Sequence, residues 1–277
     1  MRKVKLPPFE NVAANQVAIM PRIPMGEVYK GIILKLGGTT FTKAMITNIK
    51  LRLGGKTIWD ITGSQLDSIN QYMGMTANAA YLLLPFSEFN ARTILGEDRG
   101  AIDTRLDYSS FSLQVTIGAA TAPTLEAWAL VVTDKMVTRP EDVPLIKAML
   151  PATHNIGAAG DYYLPIPIGS SLGANIKRLH MFHANITDFS VKMNGQDIQD
   201  EGENAVVQFF QNNLTRVVQA GHLAFDPLVL DNQGDAIPTT RIERGVIREN
   251  NFEWKAKLSA GDTINSLTEV YALIDSI

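Results

Sequence analysis

The chain reads ITNIKLRLGGKTIWD at residues 46–60 and ITDFSVKMNGQDIQD at residues 186–200, a spacing of 140. Ile46, Thr47, Gly55, Ile58 and Asp60 each have an identical counterpart, and most other pairs are chemically similar. Unrelated windows of average composition would share only about one residue. In a chain of 277 residues, this repeat predicts one fold present twice in tandem.

The similarity continues on both sides of these stretches, with small shifts in spacing. Residues 23–26 (IPMG) match 166–169 (IPIG), and 111–117 resemble 252–258. Shifts of this kind are expected when surface loops absorb insertions. We therefore predict three segments: an N-terminal jelly roll at 1–136 that includes an arm at 1–10, a proline-containing linker at 137–151, and a C-terminal jelly roll at 152–277.

Each copy begins with the pattern of a hairpin followed by a helix. Apolar and polar residues alternate along 48–53 and again along 188–193, which is typical of a strand with one buried face. Gly54-Gly55 and Asn194-Gly195 then tolerate the positive φ angles of a type I′ turn. Helical character follows at 64–73 and at 203–213, so one short helix per copy is predicted.

Further strand-like runs complete each copy. Glycine, proline and asparagine separate them, and their spacing is irregular. This pattern favours an all-β chain of two tandem jelly-roll β-sandwich barrels. The runs lie at residues 81–84, 111–117, 126–133, 223–225, 252–258 and 269–274.

The linker carries Pro140, Pro144 and Pro151, which predicts a stiff connection. Between the last two prolines, Leu145–Leu150 is apolar except for Lys147. Two interpretations stay open: a short helix between the barrels that fixes their orientation, or an ordinary ordered connector.

Composition excludes several classes of function. The net charge is −3, and no segment gathers the lysines and arginines that a phosphate-binding surface needs, so no direct nucleic-acid partner is expected. The chain has no cysteine, which excludes disulfides and thiolate sites. No apolar run is long enough for a membrane span, and no apolar segment follows the basic start as in a secretory signal.

Short sequence motifs near the start of the chain resemble those of a known family. NVAA at 11–14, IPMGEVY at 23–29 and the hairpin at 46–55 are similar to the opening of the major capsid protein of corticovirus-like tailless bacteriophages. The resemblance implies a double jelly roll without enzymatic activity. It also implies a homotrimer whose six barrels form a pseudo-hexagonal tile in an icosahedral shell over an internal lipid membrane.

The same resemblance implies the partners and the location. The partners would be neighbouring capsid trimers, vertex (penton) proteins and minor membrane-associated capsid proteins. The location would be the virion capsid, assembled in the cytoplasm of a host bacterium. For the arm, Arg2, Lys3 and Lys5 suggest contact with anionic lipid headgroups of the viral membrane, and the alternative is a disordered tail.

No catalytic, cofactor-binding or metal-binding residue is predicted. His180 and His183 have a suggestive spacing, but on a strand they point to opposite faces. The HxH pair of cupin enzymes is missing, which disfavours a two-domain cupin. Gly54–Thr57 is interpreted as a hairpin turn rather than a phosphate loop.

Two polar segments are interpreted as solvent-exposed. Residues 231–235 (DNQGD) offer oxygens for calcium but lack the spacing of an EF-hand, so a solvated turn is favoured. Residues 96–100 (GEDRG) are predicted to form an exposed loop tip.

A different class of function, a carbohydrate- or receptor-binding jelly-roll module of a spike or lectin, stays open as the alternative. Such modules display aromatic platforms. Trp59, Trp128 and Trp254 lie in or beside strand-like runs, where burial in a core is the commoner outcome. The sequence therefore favours the structural role.

Overall fold

The computed structural model describes residues 1–106, 108–132, 145–169, 173–200, 202 and 204–277. Within them the chain forms two β-sandwiches, one in each half, and each contains two antiparallel sheets. This arrangement confirms the prediction of two tandem jelly-roll barrels.

The first barrel is built from nine strands. One sheet has the order β1-β9-β3-β6, with β7 paired to β3, and the other has the order β2-β8-β4-β5. The strands are β1 (Arg2–Lys5), β2 (Val17–Met20), β3 (Val28–Gly37), β4 (Ile46–Leu53), β5 (Lys56–Ile61), β6 (Tyr81–Pro85), β7 (Ile102–Asp103), β8 (Phe111–Ile117) and β9 (Thr124–Val132).

The second barrel repeats this topology. Its sheets have the orders β10-β20-β12-β15, with β16 paired to β12, and β11-β19-β13-β14. A separate hairpin, β17–β18, has no counterpart among the named strands of the first barrel. The strands are β10 (Ile146–Ile156), β11 (Gly160–Tyr163), β12 (Ala174–Phe182), β13 (Ile186–Met193), β14 (Gln196–Gln199), β15 (Leu223–Phe225), β16 (Ile237–Pro238), β17 (Thr240–Glu243), β18 (Val246–Glu249), β19 (Phe252–Leu258) and β20 (Asp262–Ala272).

The duplication extends to local irregularities of strand pairing. The register of β4 shifts just after Ile46, and that of β13 shifts just after Ile186. The register shift of β3 lies at Lys30, and that of β12 lies at Lys177. Irregularities of this kind re-aim side chains and are features of the fold. Their recurrence shows that the two halves share one detailed plan.

In the part of the chain that the structure describes, three α-helices accompany the strands: α1 (Gly63–Tyr72), α2 (Ile94–Asp98) and α3 (Asn204–Asn212). Thr62 and Gln65 form a capping box at the start of α1, which satisfies backbone donors that would otherwise lack partners. The predicted helices correspond to α1 and α3. One helix per copy is wrong for the first half, because α2 is a second helix there and overlaps residues 96–100, which were expected to be a loop tip.

Both predicted hairpin turns are confirmed. Gly54 and Gly55 have φ angles of 58° and 83°, and Asn194 and Gly195 have φ angles of 53° and 79°. Two successive positive φ angles are what a type I′ turn requires.

The helix considered for Leu145–Leu150 is wrong, because β10 begins at Ile146 and pairs with β20 along its whole length. A short apolar run reads equally well as a buried strand or a buried helix, and periodicity does not separate them. The preceding part of the predicted linker, 137–144, lies outside the described residues. The first strand of the second barrel therefore begins at Ile146, within the predicted linker, and continues to Ile156 in the predicted second jelly roll.

The disordered tail considered for the N-terminus is also wrong. β1 pairs with β9 in an antiparallel register that runs from Arg2 opposite Val131 to Lys5 opposite Trp128. The basic arm is thus an edge strand of the first barrel.

Each barrel encloses its own apolar core, and the first core also includes residues of the second half. Ile146, Met149 and Leu267 are at most 2% exposed and join the core cluster of the first barrel. The two barrels therefore share a packed boundary. Among the described residues, none of the helices is long and apolar enough to span a membrane.

Candidate functional site

A group of buried charged side chains lies where the two barrels meet, and we call it the junction cluster. It contains four cations and four carboxylates, and every member is at most 9% exposed. The members are Glu88, Lys147, Lys177, Arg178, Arg216, Asp226, Asp231 and Glu269.

Strand geometry places these side chains at the boundary. The register shift at Lys177 lies beside Arg178, which pairs across the sheet with Glu269 on β20. Glu88 follows β6 of the first barrel and approaches the same point. The first barrel thus supplies a carboxylate to cations that project from the second.

Arg178 is the centre of the junction cluster. Its Nη1 lies 3.1 Å from Glu269 Oε2, its Nη2 lies 3.2 Å from Glu88 Oε2, and its Nε lies 3.0 Å from Asp226 Oδ1. Arg216 Nε donates to the other oxygen of Asp226 at 2.6 Å. Each carboxylate is therefore held by charge-assisted hydrogen bonds, which are the stronger kind.

Two lysines complete the balance of charge. Lys177 Nζ contacts Glu88 and lies 3.3 Å from Glu269, and Lys147 Nζ lies 3.6 Å and 3.5 Å from the same two carboxylates. Burial lowers the pKa of Lys177 to about 8, against the opposing attraction of Glu88. Burial would raise the pKa of Glu88, but Lys177, Arg178 and Lys147 hold it well below its ordinary value. Lys177 and Glu88 therefore form a charged pair at neutral pH.

A chain of hydrogen bonds through two histidines adjoins the cluster. His180 Nδ1 lies 2.9 Å from His222 Nε2, and His222 Nδ1 lies 2.9 Å from Ser68 Oγ on α1. His180 Nε2 faces Glu269 Oε1 at 3.5 Å. Because Nε2 of His180 faces a carboxylate, it carries the proton of that ring, and Nδ1 accepts from His222 Nε2. His222 Nδ1 then accepts from the Ser68 hydroxyl, so each ring carries one proton. Burial lowers the pKa of both histidines, which favours these neutral forms.

Histidine spacing in the sequence did not predict this pair. His180 and His183 have different partners, because His183 Nε2 lies 3.1 Å from Asp262 Oδ2 near the surface. The partner of His180 comes from 42 residues away. Among the described residues, no group of three histidine or acidic side chains is arranged to hold a metal ion.

Aromatic contacts also join the two halves. Trp59 Nε1 of the first half donates to the backbone carbonyl oxygen of Lys147 in the second half at 2.8 Å. Arg99 lies over the ring of Tyr271 at 5.0 Å, a distance at which cation–π attraction acts.

Both polar segments that were expected to be solvated are part of this boundary. Asp231 is 6% exposed and accepts from Arg216, and Gln233 accepts from the Tyr271 hydroxyl at 2.6 Å. Arg99, at the end of α2, donates to the backbone oxygen of Gln233 at 3.2 Å. The exposed loop tip is therefore wrong, and the solvated turn is wrong for Asp231 and Gln233, whereas Asn232, Gly234 and Asp235 are exposed. Tertiary partners from distant parts of the chain override the local turn composition.

The chemistry of the junction cluster suits a structural role, which is to hold the two barrels together. Its charges are enclosed and paired, and a buried pair that loses one member leaves a costly uncompensated charge. This arrangement holds the two barrels in one relative orientation, so that the chain presents a single rigid outer surface.

Two features of that outer surface are apolar. The first is a groove of about 550 Å³ on the outer face of the first barrel, which we call the outer groove. Its lining combines half-exposed apolar side chains with lysines and amides. The residues used below are Lys3, Ile33, Asn70, Leu83 and Trp128.

The outer groove corrects one expectation about tryptophan. Trp59 and Trp254 are 0% and 4% exposed, which confirms their predicted places in the cores. Trp128 is instead half-buried on the outer face, with Lys5 and Lys35 at 5.4 Å and 5.8 Å from its ring. The strand pattern places alternate residues on opposite faces, and Trp128 belongs to the outer face.

The second apolar feature is helix α3. Val206, Phe209 and Phe210 are 65%, 70% and 55% exposed. Exposed apolar groups that lie together on one element mark interaction surfaces. The hairpin β17–β18 is a further exposed element, with Ile242 78% exposed.

Comparisons with known proteins agree with this architecture. The family model "Viral coat protein P2 N-terminal domain" matches residues 3–133, and "Viral coat protein P2 C-terminal domain" matches residues 146–274. The structure is similar to that of the major capsid protein P2 from bacteriophage PM2, with a TM-score of 0.83 and 16% identity over 98% of this chain and 97% of that chain.

Other solved structures are similar at lower scores. The STIV MCP has a TM-score of 0.68 and 12% identity over 98% of this chain and 96% of that chain. A chain of the PBCV-1 virus capsid has a TM-score of 0.62 and 11% identity over 98% and 92%. At these identities the likeness establishes the fold. No curated protein sequence matches the chain.

Proposed function

The chain belongs to the viral coat protein P2 family, and on that premise we propose that three copies form a pseudo-hexagonal tile of an icosahedral shell that encloses a lipid membrane. As a viral coat protein it is a structural component of the virion capsid. We further propose that assembly takes place in the cytoplasm of a host bacterium.

The observation that carries the proposal is the agreement of the two barrels in strand order and in register shifts. Three chains around a threefold axis close a ring through head-to-tail contacts. Two similar barrels per chain give such a ring six nearly equivalent edges. The junction cluster supports this role, because a tile needs barrels that do not swing.

Partners in the shell would meet exposed elements of this outer surface. Neighbouring trimers, vertex proteins and minor membrane-associated proteins are the partners that the proposal includes. The hairpin β17–β18, which exposes Ile242, Val246 and Ile247, lies outside both barrels, which suits a contact between tiles.

Contact of the N-terminal arm with the membrane has less support than the rest. Arg2 pairs with Glu27, and Lys5 pairs with Glu126 at 2.9 Å. Attraction to anionic lipid would then depend mainly on Lys3, which also lines the outer groove and meets lipid only where no other chain covers that groove. Replacement of Lys3 by glutamine should weaken binding to anionic liposomes at low salt, and unchanged binding would dismiss the contact.

The mass of the purified protein tests the tile. Analytical ultracentrifugation should give a species of three times the 30.4 kDa chain, and electron microscopy of that species should reveal a six-lobed outline. A stable monomer at high protein concentration would contradict the proposal.

Carbohydrate binding is the second candidate, and Trp128 favours it. A half-exposed tryptophan beside Asn70 in a groove resembles an aromatic platform with polar neighbours. Saturable binding on a glycan array that is lost in Trp128→Ala would support this function.

A further inference from the structure

The two barrels share one plan but differ in what covers them. Helix α1 and strand β5 of the first barrel are buried, with Tyr72 at 1% and Ile58 at 0% exposure. Their counterparts in the second barrel are exposed, with Phe209 on α3 at 70% and Ile198 on β14 at 39%. Apolar residues on two counterpart elements therefore lack the cover that the first barrel has.

A shared hydrogen bond sets the correspondence of the two helices. Asn70 Nδ2 on α1 donates to the backbone oxygen of Leu83 at 2.8 Å, and Gln211 Nε2 on α3 donates to that of Ala224 at 2.7 Å. Both helices are thus seated on the same strand of their own barrels. In this register Phe209 on α3 corresponds to Ser68 on α1.

Within the chain, α1 is covered by the outer face of the second barrel. Ser68 Oγ lies 2.9 Å from His222 Nδ1, and the Tyr72 ring lies 6.0 Å from the ring of His180. Tyr72 also forms a small buried cluster with Ala224. The second barrel therefore receives α1 on the outer face of β12 and β15.

The same face of the first barrel is the outer groove. Ile33 on β3 pairs with Leu83 on β6, as His180 on β12 pairs with Ala224 on β15. Ile33, Leu83 and the neighbouring Trp128 are half-exposed. The groove therefore occupies, on the first barrel, the place that α1 covers on the second.

A second pair of elements gives the same match. Strand β5 packs against β10 through the hydrogen bond from Trp59 Nε1 to the Lys147 carbonyl oxygen. The counterpart of β10 in the first barrel is β1, since each pairs with the last strand of its own sheet. Lys3 of β1 lines the outer groove. When α3 of one chain lies in the outer groove of another, β14 of the first chain therefore lies beside β1 of the second.

We propose that α3 and β14 of one copy dock on the outer groove and β1 of the next copy, and so repeat between chains the contact that α1 and β5 make within the chain. The proposal rests on the proposed trimer and deepens it by assigning the surface. Because the contact is head-to-tail, first and second barrels alternate, and three chains close a ring of six.

The chemistry of the two surfaces suits this occupant. Val206, Phe209 and Phe210 would meet Ile33, Leu83 and Trp128, so apolar side chains face each other across the contact. Exposed aromatic side chains that enter a pocket are typical anchors of protein interfaces. Inside the chain, Ser68 makes a polar contact with His222. Between chains, Phe209 takes the place of Ser68, so the equivalent contact is apolar.

The first test changes one side of the contact at a time. Phe209→Asp places a carboxylate against the apolar groove, and Leu83→Glu places one inside it. Either change should weaken association by about a hundredfold or more, because the contact loses an apolar anchor and a carboxylate has to leave water. Ultracentrifugation at micromolar concentration should then find monomers in place of trimers. Ile242→Ser on the hairpin β17–β18 is the matched control and should stay trimeric.

A mixture of the two variants tests the head-to-tail geometry. Phe209→Asp retains an intact groove, and Leu83→Glu retains an intact α3, so the mixture has one working contact. It should form heterodimers of twice the chain mass that do not grow further. Mixtures that remain monomeric, or that regain trimers, would overturn the proposed contact.

Disulfide capture keeps the proposal testable if a charged variant fails to fold. In the register that matches Ala224 with Leu83, His222 corresponds to Tyr81, so Phe209 should lie against Tyr81 of the next copy as Ser68 lies against His222. The chain has no cysteine, so Phe209→Cys combined with Tyr81→Cys introduces the only two thiols. Oxidation should give covalent dimers and trimers on a denaturing gel. Each single-cysteine variant should give no trimer. A double variant that is trimeric in solution but forms no covalent dimers or trimers on oxidation would refute the contact.

The outcomes separate this inference from the proposed function. A trimeric wild type whose Phe209→Asp and Leu83→Glu variants also stay trimeric would overturn the docking surface and leave the tile intact. A monomeric wild type would overturn both. If Phe209→Asp stays trimeric but no longer floats with liposomes, α3 binds lipid and the inference is wrong.

Discussion

Replacement of Glu269 by glutamine should destabilise the protein strongly, because it unbalances the junction cluster. Glu269 is 0% exposed and faces Arg178, Lys177 and Lys147 within 3.1–3.5 Å. The change leaves four cations with three carboxylates. Removal of one partner from a buried ion pair costs about 3–5 kcal/mol, and we expect a loss of unfolding free energy in that range.

The corresponding change in melting temperature follows from chain length. Unfolding entropy near 60 °C is about 2.1 cal/mol/K per residue, which for 277 residues gives about 0.6 kcal/mol/K. A loss of about 3–5 kcal/mol should then lower Tm by about 5–8 °C, as measured by calorimetry. Glu126→Gln, which removes an exposed carboxylate paired with Lys5, is the control and should change Tm little.

A charge-balanced double variant decides whether imbalance is the cause. Lys147→Met removes one cation and retains the apolar stem, so Lys147→Met with Glu269→Gln restores equal numbers of charges. The double variant should be about 2 kcal/mol more stable than the sum of the single losses predicts. Strictly additive losses would refute the reasoning, and so would a Tm for Glu269→Gln that equals that of the control.

Two further predictions concern the histidine pair and one glycine. Burial holds the pKa of His180 and His222 below 6.5 in the folded chain, so the unfolded chain takes up protons first as pH falls below about 6.5. The free energy of unfolding should therefore be constant above that pH and decline below it. Calorimetry from pH 7.5 to 5 should record a Tm that falls with pH in the wild type and falls less steeply in His222→Gln. An equal slope in both proteins would contradict this. Gly38→Ala should destabilise more than Gly26→Ala, because both glycines have positive φ (108° and 99°) but only at Gly38 would the new Cβ lie 2.2 Å from a backbone oxygen. Positive φ alone costs alanine about 1–2 kcal/mol, and equal losses in urea unfolding would show that the close approach has no effect.

The barrels could be predicted from sequence because their signals are local and occur twice. Alternation along residues 48–53 and the Gly54-Gly55 turn specify a hairpin without reference to the rest of the chain. The same pattern at 188–195 then confirms the assignment by repetition. Strands 111–117 and 252–258 were predicted with the bounds that the structure has.

The boundary between the barrels was not predicted, because its partners are distant in sequence. Glu88 and Arg178 are 90 residues apart, and neither carries a local motif. The only available signal was the occurrence of Lys177 and Arg178 inside an otherwise apolar strand, since charged residues are rarely buried unless they are paired. Segments rich in Gly, Asp and Asn were predicted to be exposed to solvent for the same reason. Their composition predicts a turn, but it does not say whether distant parts of the chain pack over that turn.

The assignment of Trp128 to the core failed for a related reason. Alternation identifies two faces of a strand but does not say which face is the interior when both carry apolar residues. Ala127 and Ala129 point into the first barrel, and both are at most 1% exposed. The larger side chain is therefore the outward one, which makes the outer groove apolar.

The pairing of first and last strands brings the two ends of each barrel to one corner. Arg2 lies opposite Val131 in the first barrel, and Ile146 lies opposite Ala272 in the second. A unit that begins and ends at the same place can be copied in series with a brief connection and without threading one loop through another. This geometry makes tandem duplication of the barrel an accessible evolutionary step, since neither copy had to rearrange its strands to accommodate the other.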